Sequence, residues 1–189
     1  MFDKNDKDKV KIHRNSDGTI KQRDLYENGK LNSQISYNSD GSIWERGLYE
    51  DGTLKSHIKY RPGGSIWERD LYEDGTLKSH ITYGTDGTIE ERRLYDKVGN
   101  LKSQITYNPD GSIKERYLYE YYEDINLKSK TTYHHDNSKT NQGLYDKEGK
   151  LKSEITYYQD GSIEKRNLYD DNGNLKSETT YNPDGSVKQ

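Results

Sequence analysis

The chain repeats itself, and that fact limits its possible folds more than any other. Counted from each Asp-Gly or its equivalent, seven units start at Asp17, Asp40, Gly63, Asp86, Asp110, Asp136 and Asp160, and a truncated eighth starts at Asp184. Their spacings are 23, 23, 23, 24, 26, 24 and 24 residues. A period of this length holds one supersecondary unit, and each unit must hide its apolar side against its neighbours. A representative unit, from Asp40 to Pro62, reads DGSIWERGLYEDGTLKSHIKYRP. Upstream, Val10 to Arg14 reads as the last strand of an incomplete unit, with Ile12 standing where Ile35 stands later. Residues 1–16 therefore form an N-terminal segment with a half-repeat strand, and 17–189 form the array.

Each unit contains two short strand-like runs separated by turn signals. In the first three units the inner connection is Asn28-Gly29, Asp51-Gly52 or Asp74-Gly75. These dipeptides suit a two-residue type I′ hairpin, which needs positive φ at both central residues. Later units add one residue, as in Asp146-Lys147-Glu148-Gly149, which fits a three-residue loop with Gly in the left-handed position. The outer connection is Asn108-Pro109-Asp110-Gly111 and again Asn182-Pro183-Asp184-Gly185; Pro presets a type I turn and Gly takes the bulge position. Both connections join antiparallel neighbours. The expected fold is all-β: an antiparallel meander of about fifteen short strands from seven β-hairpin repeats of 23–26 residues.

Closing the hairpin at Asp51-Gly52 pairs Tyr49 with Leu54, and continuing without interruption pairs Gly47 with Ser56, Glu45 with Ile58 and Ile43 with Tyr60. The outer turn pairs Tyr107 with Ile113. With period-two alternation this register gathers five columns on one face: Ile20 to Val187, Tyr26 to Tyr169, Leu31 to Leu175, Ile35 to Ile155 with Thr131 and Thr179 substituting, and Tyr37 to Tyr181. The other face would carry the Leu25-to-Leu168 and Arg23-to-Arg166 columns among polar residues. No segment offers a covering helix, and a closed barrel of this many strands would leave a wide lumen. An open, twisted or coiled single sheet of solenoid character is expected.

Composition enters as a test of that picture. Leu, Ile, Val and Phe make up about 16% of the chain, low enough to suggest disorder. The net charge is only −3, however, and disorder usually needs high charge as well. The absence of Ala and the presence of 18 Tyr and 13 Ile favour strands over helices. A one-layer sheet needs only a thin core, and periodicity places most of the apolar residues in it. No Cys is present, which excludes disulfides and thiolate chemistry. No apolar run reaches the length of a membrane span or signal peptide, so a cytoplasmic protein is expected, or a secreted one if a leader has been removed. Intermixed charges of both signs argue against nucleic-acid binding.

Few residues suggest chemistry. His57 and His80 share a column two strands apart, about 9.6 Å, too far for one metal ion, and read as surface residues. His134-His135-Asp136 is the one local cluster of ligand types, but adjacent strand residues point to opposite faces. Asp170-Asp171-Asn172-Gly173-Asn174 lacks the distal Glu of a calcium loop and reads as a turn. No catalytic constellation, metal site or cofactor is expected, and the chain reads as a non-enzyme. Binding features are stronger. Trp44 and Trp67 occupy one column beside Arg46 and Arg69 on the face expected to be polar, and Trp and Arg are enriched in binding hot spots; cross-strand packing is the competing explanation. The irregular segment from Tyr117 to Gln142 is the second candidate. There Tyr121 and Tyr122 enlarge a hairpin, Asp124-Ile125 replaces its glycine, and Lys139 and Gln142 replace the Ile and Arg columns.

Runs such as LYENGKL (25–31) and LYEDGTLKS (48–56) resemble the bacterial MORN-like repeat of the YwqK antitoxin type. LYDKEGKLKS (144–153) and LYDDNGNLKSETTYNPDGS (168–186) are also similar to the YD repeats of Rhs proteins and to a phytoplasma repeat family of unknown function. The resemblance covers nearly the whole chain and implies a β-hairpin scaffold, in the YwqK type one that neutralises a toxin. It lacks the second glycine-rich half of the eukaryotic MORN pattern. The function expected is that of a non-enzymatic scaffold binding a protein partner, of antitoxin or immunity type. The alternatives are an exported effector or surface-binding module, and a structural homo-oligomer assembling through its apolar face or an edge strand.

Overall fold

The structure is a computed structural model and describes residues 9–123 and 126–188. Its fifteen strands are β1 (Lys9–Arg14), β2 (Ile20–Glu27), β3 (Lys30–Tyr37), β4 (Ile43–Glu50), β5 (Thr53–Tyr60), β6 (Ile66–Glu73), β7 (Thr76–Tyr83), β8 (Ile89–Tyr95), β9 (Leu101–Tyr107), β10 (Ile113–Tyr121), β11 (Leu127–His134), β12 (Lys139–Tyr145), β13 (Leu151–Tyr157), β14 (Ile163–Tyr169) and β15 (Leu175–Thr180). They follow one another in chain order in an open antiparallel sheet. Two compact units divide after Gly99; the first holds β1 to β8 and the second β9 to β15. The half-repeat strand β1 pairs with β2, setting Ile12 across from Arg23 as Ile35 is on the other side. No helix among the described residues is long and apolar enough to cross a membrane.

The turns follow the dipeptides. Asn28, Asp51 and Asp74 have φ of 51°, 51° and 49°, each followed by a glycine with positive φ, as a type I′ turn requires. At the outer turn Gly111 N–H donates to the Asn108 carbonyl at 2.9 Å, and Asn108 N–H to the Ser112 carbonyl at 2.8 Å. The turn aspartate closes the structure: Asp40 Oδ1 accepts from Ser42 N–H at 2.9 Å and from its hydroxyl at 2.6 Å. These bonds hold the Asp40 carboxyl below its ordinary range.

The register departs from the uninterrupted one read from the sequence. Tyr49 does oppose Leu54, and Tyr37 opposes Ile43, but a bulge follows each of these turn-proximal pairs. At inner turns the extra residue lies in the second strand, as Lys55 does between Leu54 and Ser56. At outer turns it lies just after the start of the next strand, as Trp44 does between Ile43 and Glu45. Gly47 thus opposes His57 and Leu48 opposes Ser56, and the expected five-column face does not form. One face instead combines Leu and Arg of the even strands with Ser and Ile of the odd ones. Leu25 and Leu48 flank Ser33, and Arg23 and Arg46 flank Ile35. Small residues therefore sit beneath large neighbours on both sides, and Ser33, Ser56, Ser79, Ser103, Ser129 and Ser153 are buried with Ile58, Ile81 and Ile155. Strand alternation sends Asp24, Gly47, His57, Asp70 and His80 to the opposite face.

The irregular hairpin is a register slip. Leu118 opposes Thr131, and Glu120 opposes Ser129, whereas elsewhere Leu opposes Ser. A slip of two residues preserves the faces because the side-chain period is two. Gln142 and Thr131 face each other, and the displaced Arg116 lies 4.7 Å from the Tyr133 ring. Asp124 and Ile125 lie outside the described residues.

Candidate functional site

Trp44 and Trp67 are bulge residues, and that accounts for their exposure of 41% and 47%. A bulge leaves one residue out of the ladder and re-aims its side chain. In the first unit the other residues at this position are Lys21 and Glu90; in the second they are Lys114, Thr140 and Glu164. Large aromatic groups thus stand at two successive outer bulges of the first unit, about 9.6 Å apart by strand spacing.

Arg46 and Arg69 are not free surface groups beside them. Each is half-buried and donates Nε–H to a buried serine, Arg46 to Ser33 Oγ at 3.2 Å and Arg69 to Ser56 Oγ at 3.4 Å. The expected polar surface around them is the tightly packed Ser–Ile face. The tyrosine candidates belong to the second unit and brace neighbouring strands. Tyr121 donates to the Leu101 carbonyl at 3.0 Å and Tyr122 to the Tyr145 carbonyl at 2.9 Å. Tyr117 donates to Glu115 Oε2 at 2.7 Å beneath the Lys130 ammonium, which lies 4.6 Å from its ring centroid. The bond to Glu115, followed by burial, pushes the Tyr117 phenol up to about 12.

A polar chain missed by the sequence reading lies near the tryptophans. Asp24 accepts from Gln22 at 2.7 Å and Gln34 at 3.1 Å, and lies 3.0 Å from His13. His57 Nε2 is 3.1 Å from Glu45 Oε2, and Ser36 donates to Glu45 Oε1 at 3.1 Å. Asp70 joins the two histidines that sequence spacing left as separate surface residues: His80 Nδ1 lies 2.7 Å from Oδ1 and His57 Nδ1 lies 3.9 Å from Oδ2. Lys59 donates to Glu68 Oε2 at 2.9 Å, and its ammonium lies 6.0 Å from the Trp67 ring centroid. Only the bulges bring these groups to one face, so strict alternation could not assemble them. In the second unit Asp136 is held by Ser138, while the His134 and His135 rings are 6.4 Å apart; no group of three ligand residues able to hold a metal ion occurs among the described residues. Asp170 accepts from the N–H groups of Asn172 and Asn174, which fits its reading as a turn.

A search of curated proteins finds no match. Structural likenesses are slight. The accessory secretory protein 1, 2 and 3 structure of Streptococcus pneumoniae aligns with 59% of this chain at 16% identity and a TM-score of 0.41; the chain spans about a fifth, 21%, of that protein. The TcdB2-TccC3-TEV structure aligns with 95% of the chain, and with 12% of its own, at 14% identity and a TM-score of 0.32. A porin-like protein from Bacteroides uniformis aligns with 99% of this chain and 90% of its own at 10% identity and a TM-score of 0.34. None of these carries an argument about function. The model of the MORN repeat variant matches residues 17–39, 144–160 and 165–182. Those segments fall on hairpin repeats in the structure, and over them the chain is similar to the MORN repeat variant.

Proposed function

We propose that the protein is a non-enzymatic scaffold that binds another protein through the outer-bulge tryptophans of its first unit, in a role of antitoxin or immunity type. The observation that carries this reading is the placement of Trp44 and Trp67 at positions outside the pairing ladder, where the other repeats hold polar side chains. Trp is the residue type most enriched at binding hot spots. A bulge residue contributes little to the ladder, so a large exposed indole there is poorly explained by packing. MORN-like architecture supports a scaffold role. The test compares wild type with the double variant Trp44→Ala, Trp67→Ala. The variant should lose a partner captured from native lysate and identified by mass spectrometry, while its thermal melt stays within about 2 °C of wild type. An unchanged capture, or a melt lowered by much more, would overturn the assignment of the pair as an interface.

A further inference from the structure

Charge in the first unit is sorted by face. Asp24, Glu45, Glu68, Asp70 and Glu91 share the polar face, and each meets its own partner there: His13, His57, Lys59, His80 and Arg93. Strand alternation sends Arg46, Arg69 and Arg92 to the opposite face. Arg46 stands between Ile35 and Ile58, Arg69 between Ile58 and Ile81, and Arg92 beside Ile81. The glutamates at the hairpin ends of that face, Glu50 and Glu73, are taken by Lys55 and Lys78. The three guanidiniums make no ion pair among the described residues. Their Nε atoms are turned inward: Arg46 and Arg69 donate to Ser33 and Ser56, and Arg92 Nε is buried. The Nη edges are left for solvent. Two residues along the strands on one side lie Leu48, Leu71 and Leu94, and on the other Tyr60 and Tyr83, all half-buried. A row of unmatched arginines thus runs across the strands between two rows of apolar and aromatic side chains.

We propose that Arg46, Arg69 and Arg92 form a docking row for an acidic amphipathic helix of a protein partner, laid across the strands on the leucine and tyrosine rows. Successive arginines are two strands, about 9.6 Å, apart. A helix brings residues seven apart back to one side after about 10.5 Å, so an acid at every seventh position keeps step with all three. An extended segment repeats its side about every 6.7 Å and falls out of step. A helix is about 10 Å wide, enough to cover the flanking rows, and it can carry apolar residues on both sides of its acidic stripe. A phosphate polymer cannot. Because each Nε is already fixed, the Nη fork loses little freedom on taking a carboxylate. The helix would also supply the second layer that a single sheet with half-exposed apolar rows lacks. The row is additional to the tryptophan pair and does not depend on it.

The probe is a labelled helical peptide three heptads long, with glutamate at every seventh position, leucine on either side of that stripe and a neutral polar back. Its control carries glutamine for each glutamate. Both are titrated into the full chain and followed by fluorescence anisotropy. The glutamate peptide should bind saturably, and the glutamine peptide at least tenfold more weakly. The triple variant Arg46→Gln, Arg69→Gln, Arg92→Gln should bind the glutamate peptide no better than wild type binds the control. Should that variant fail to fold, NMR of the wild type decides alone: the peptide should move the Nε–H signals of Arg46, Arg69 and Arg92 and leave the His57 and His80 ring signals of the opposite face in place. Equal affinity for the two peptides, binding of neither, shifts at the histidines instead of the arginines, or full binding by the folded triple variant would overturn the proposal. So would displacement of the peptide by a thymidine oligonucleotide of the same charge, which would make the row a general anion site. The tryptophan reading is tested separately, because Trp44→Ala, Trp67→Ala should bind the glutamate peptide as wild type does whether or not it loses a captured partner.

Discussion

Replacing Asp24 with alanine tests whether the polar face stabilises the sheet or merely decorates it. The Asp24 residue is 6% exposed, and its carboxylate meets Gln22 at 2.7 Å, His13 at 3.0 Å and Gln34 at 3.1 Å. Hydrogen bonds to a charged group contribute about 1.5–3 kcal/mol each. The three donors here sit on part-buried side chains that regain some water, so about 1 kcal/mol each, or about 3 kcal/mol in all, is the expected loss. For a unit of roughly 100 residues this lowers the melting temperature by about 12 °C. Because repeat arrays open locally, amide exchange should accelerate most in β1 to β3 and least in β6 to β8. A pH signature accompanies it. Burial pushes the Asp24 carboxyl up, but its bonds to Gln22, His13 and Gln34 together outweigh burial and bring it below the ordinary value. With a depressed native pKa, its stabilisation is complete above the unfolded value near 4 and disappears as pH falls through the native one. The variant should therefore lose less stability than wild type below about pH 4. Calorimetry and exchange mass spectrometry read these effects; a melt within 1 °C of wild type with unchanged β1–β3 exchange would refute the reasoning.

Four further outcomes follow from particular contacts. Ser33→Ala should cost about 1 kcal/mol by removing the acceptor of Arg46 Nε, whereas Ser79→Ala should be neutral or stabilising, since that hydroxyl has no partner among the described residues; denaturant melts distinguish them. Asn137→Gly should raise stability by about 0.5–1 kcal/mol, because Asn137 sits at φ 64° where the other outer turns hold glycine, and urea unfolding measures it. Deleting Glu120 and Tyr121 should return Leu118 to a position opposite Ser129, visible as a new cross-strand NOE between them; persistence of the Leu118–Thr131 contact would contradict the slip. Tyr117 should ionise near pH 12 by ultraviolet titration, and Glu115→Gln should lower that value. A raised phenol pKa makes its contribution to stability complete below the unfolded value near 10, and the contribution is lost as pH climbs towards 12.

The turns were legible because Asn-Gly, Asp-Gly and Asn-Pro-Asp-Gly impose local geometry that needs no tertiary partner. From them came the meander, the strand number and the first pair beside each turn, such as Tyr49 with Leu54. Faces were not legible, because one unpaired residue inverts everything beyond it. Nothing in Lys55 or Trp44 announces a bulge, and a strand read by strict alternation passes through either without complaint. Arg46 was consequently placed on a wet surface when it bonds to a buried serine, and His57, Asp70 and His80 seemed unrelated when Asp70 joins them. The two tryptophans were found for their composition and column; their exposure has its cause in the bulge. The replacement of the Ile and Arg columns by Lys139 and Gln142 marked the segment as irregular, but it showed neither that β10 and β11 are slipped by two residues nor that Gln142 faces Thr131 across the next ladder.

The outer bulges also separate two kinds of information that most strands must carry together. A residue in the ladder is constrained from both sides by its cross-strand partners, so changing it disturbs the register of its neighbours. Lys21, Trp44, Trp67 and Glu90 have no opposite number, so their identity can vary while the pairing stays fixed. In the first unit they make a row of sockets at a pitch of about 9.6 Å, set by the backbone and indifferent to what fills it. A protein built this way can be re-addressed to a new surface by rewriting four side chains, with its folding instructions left as they were.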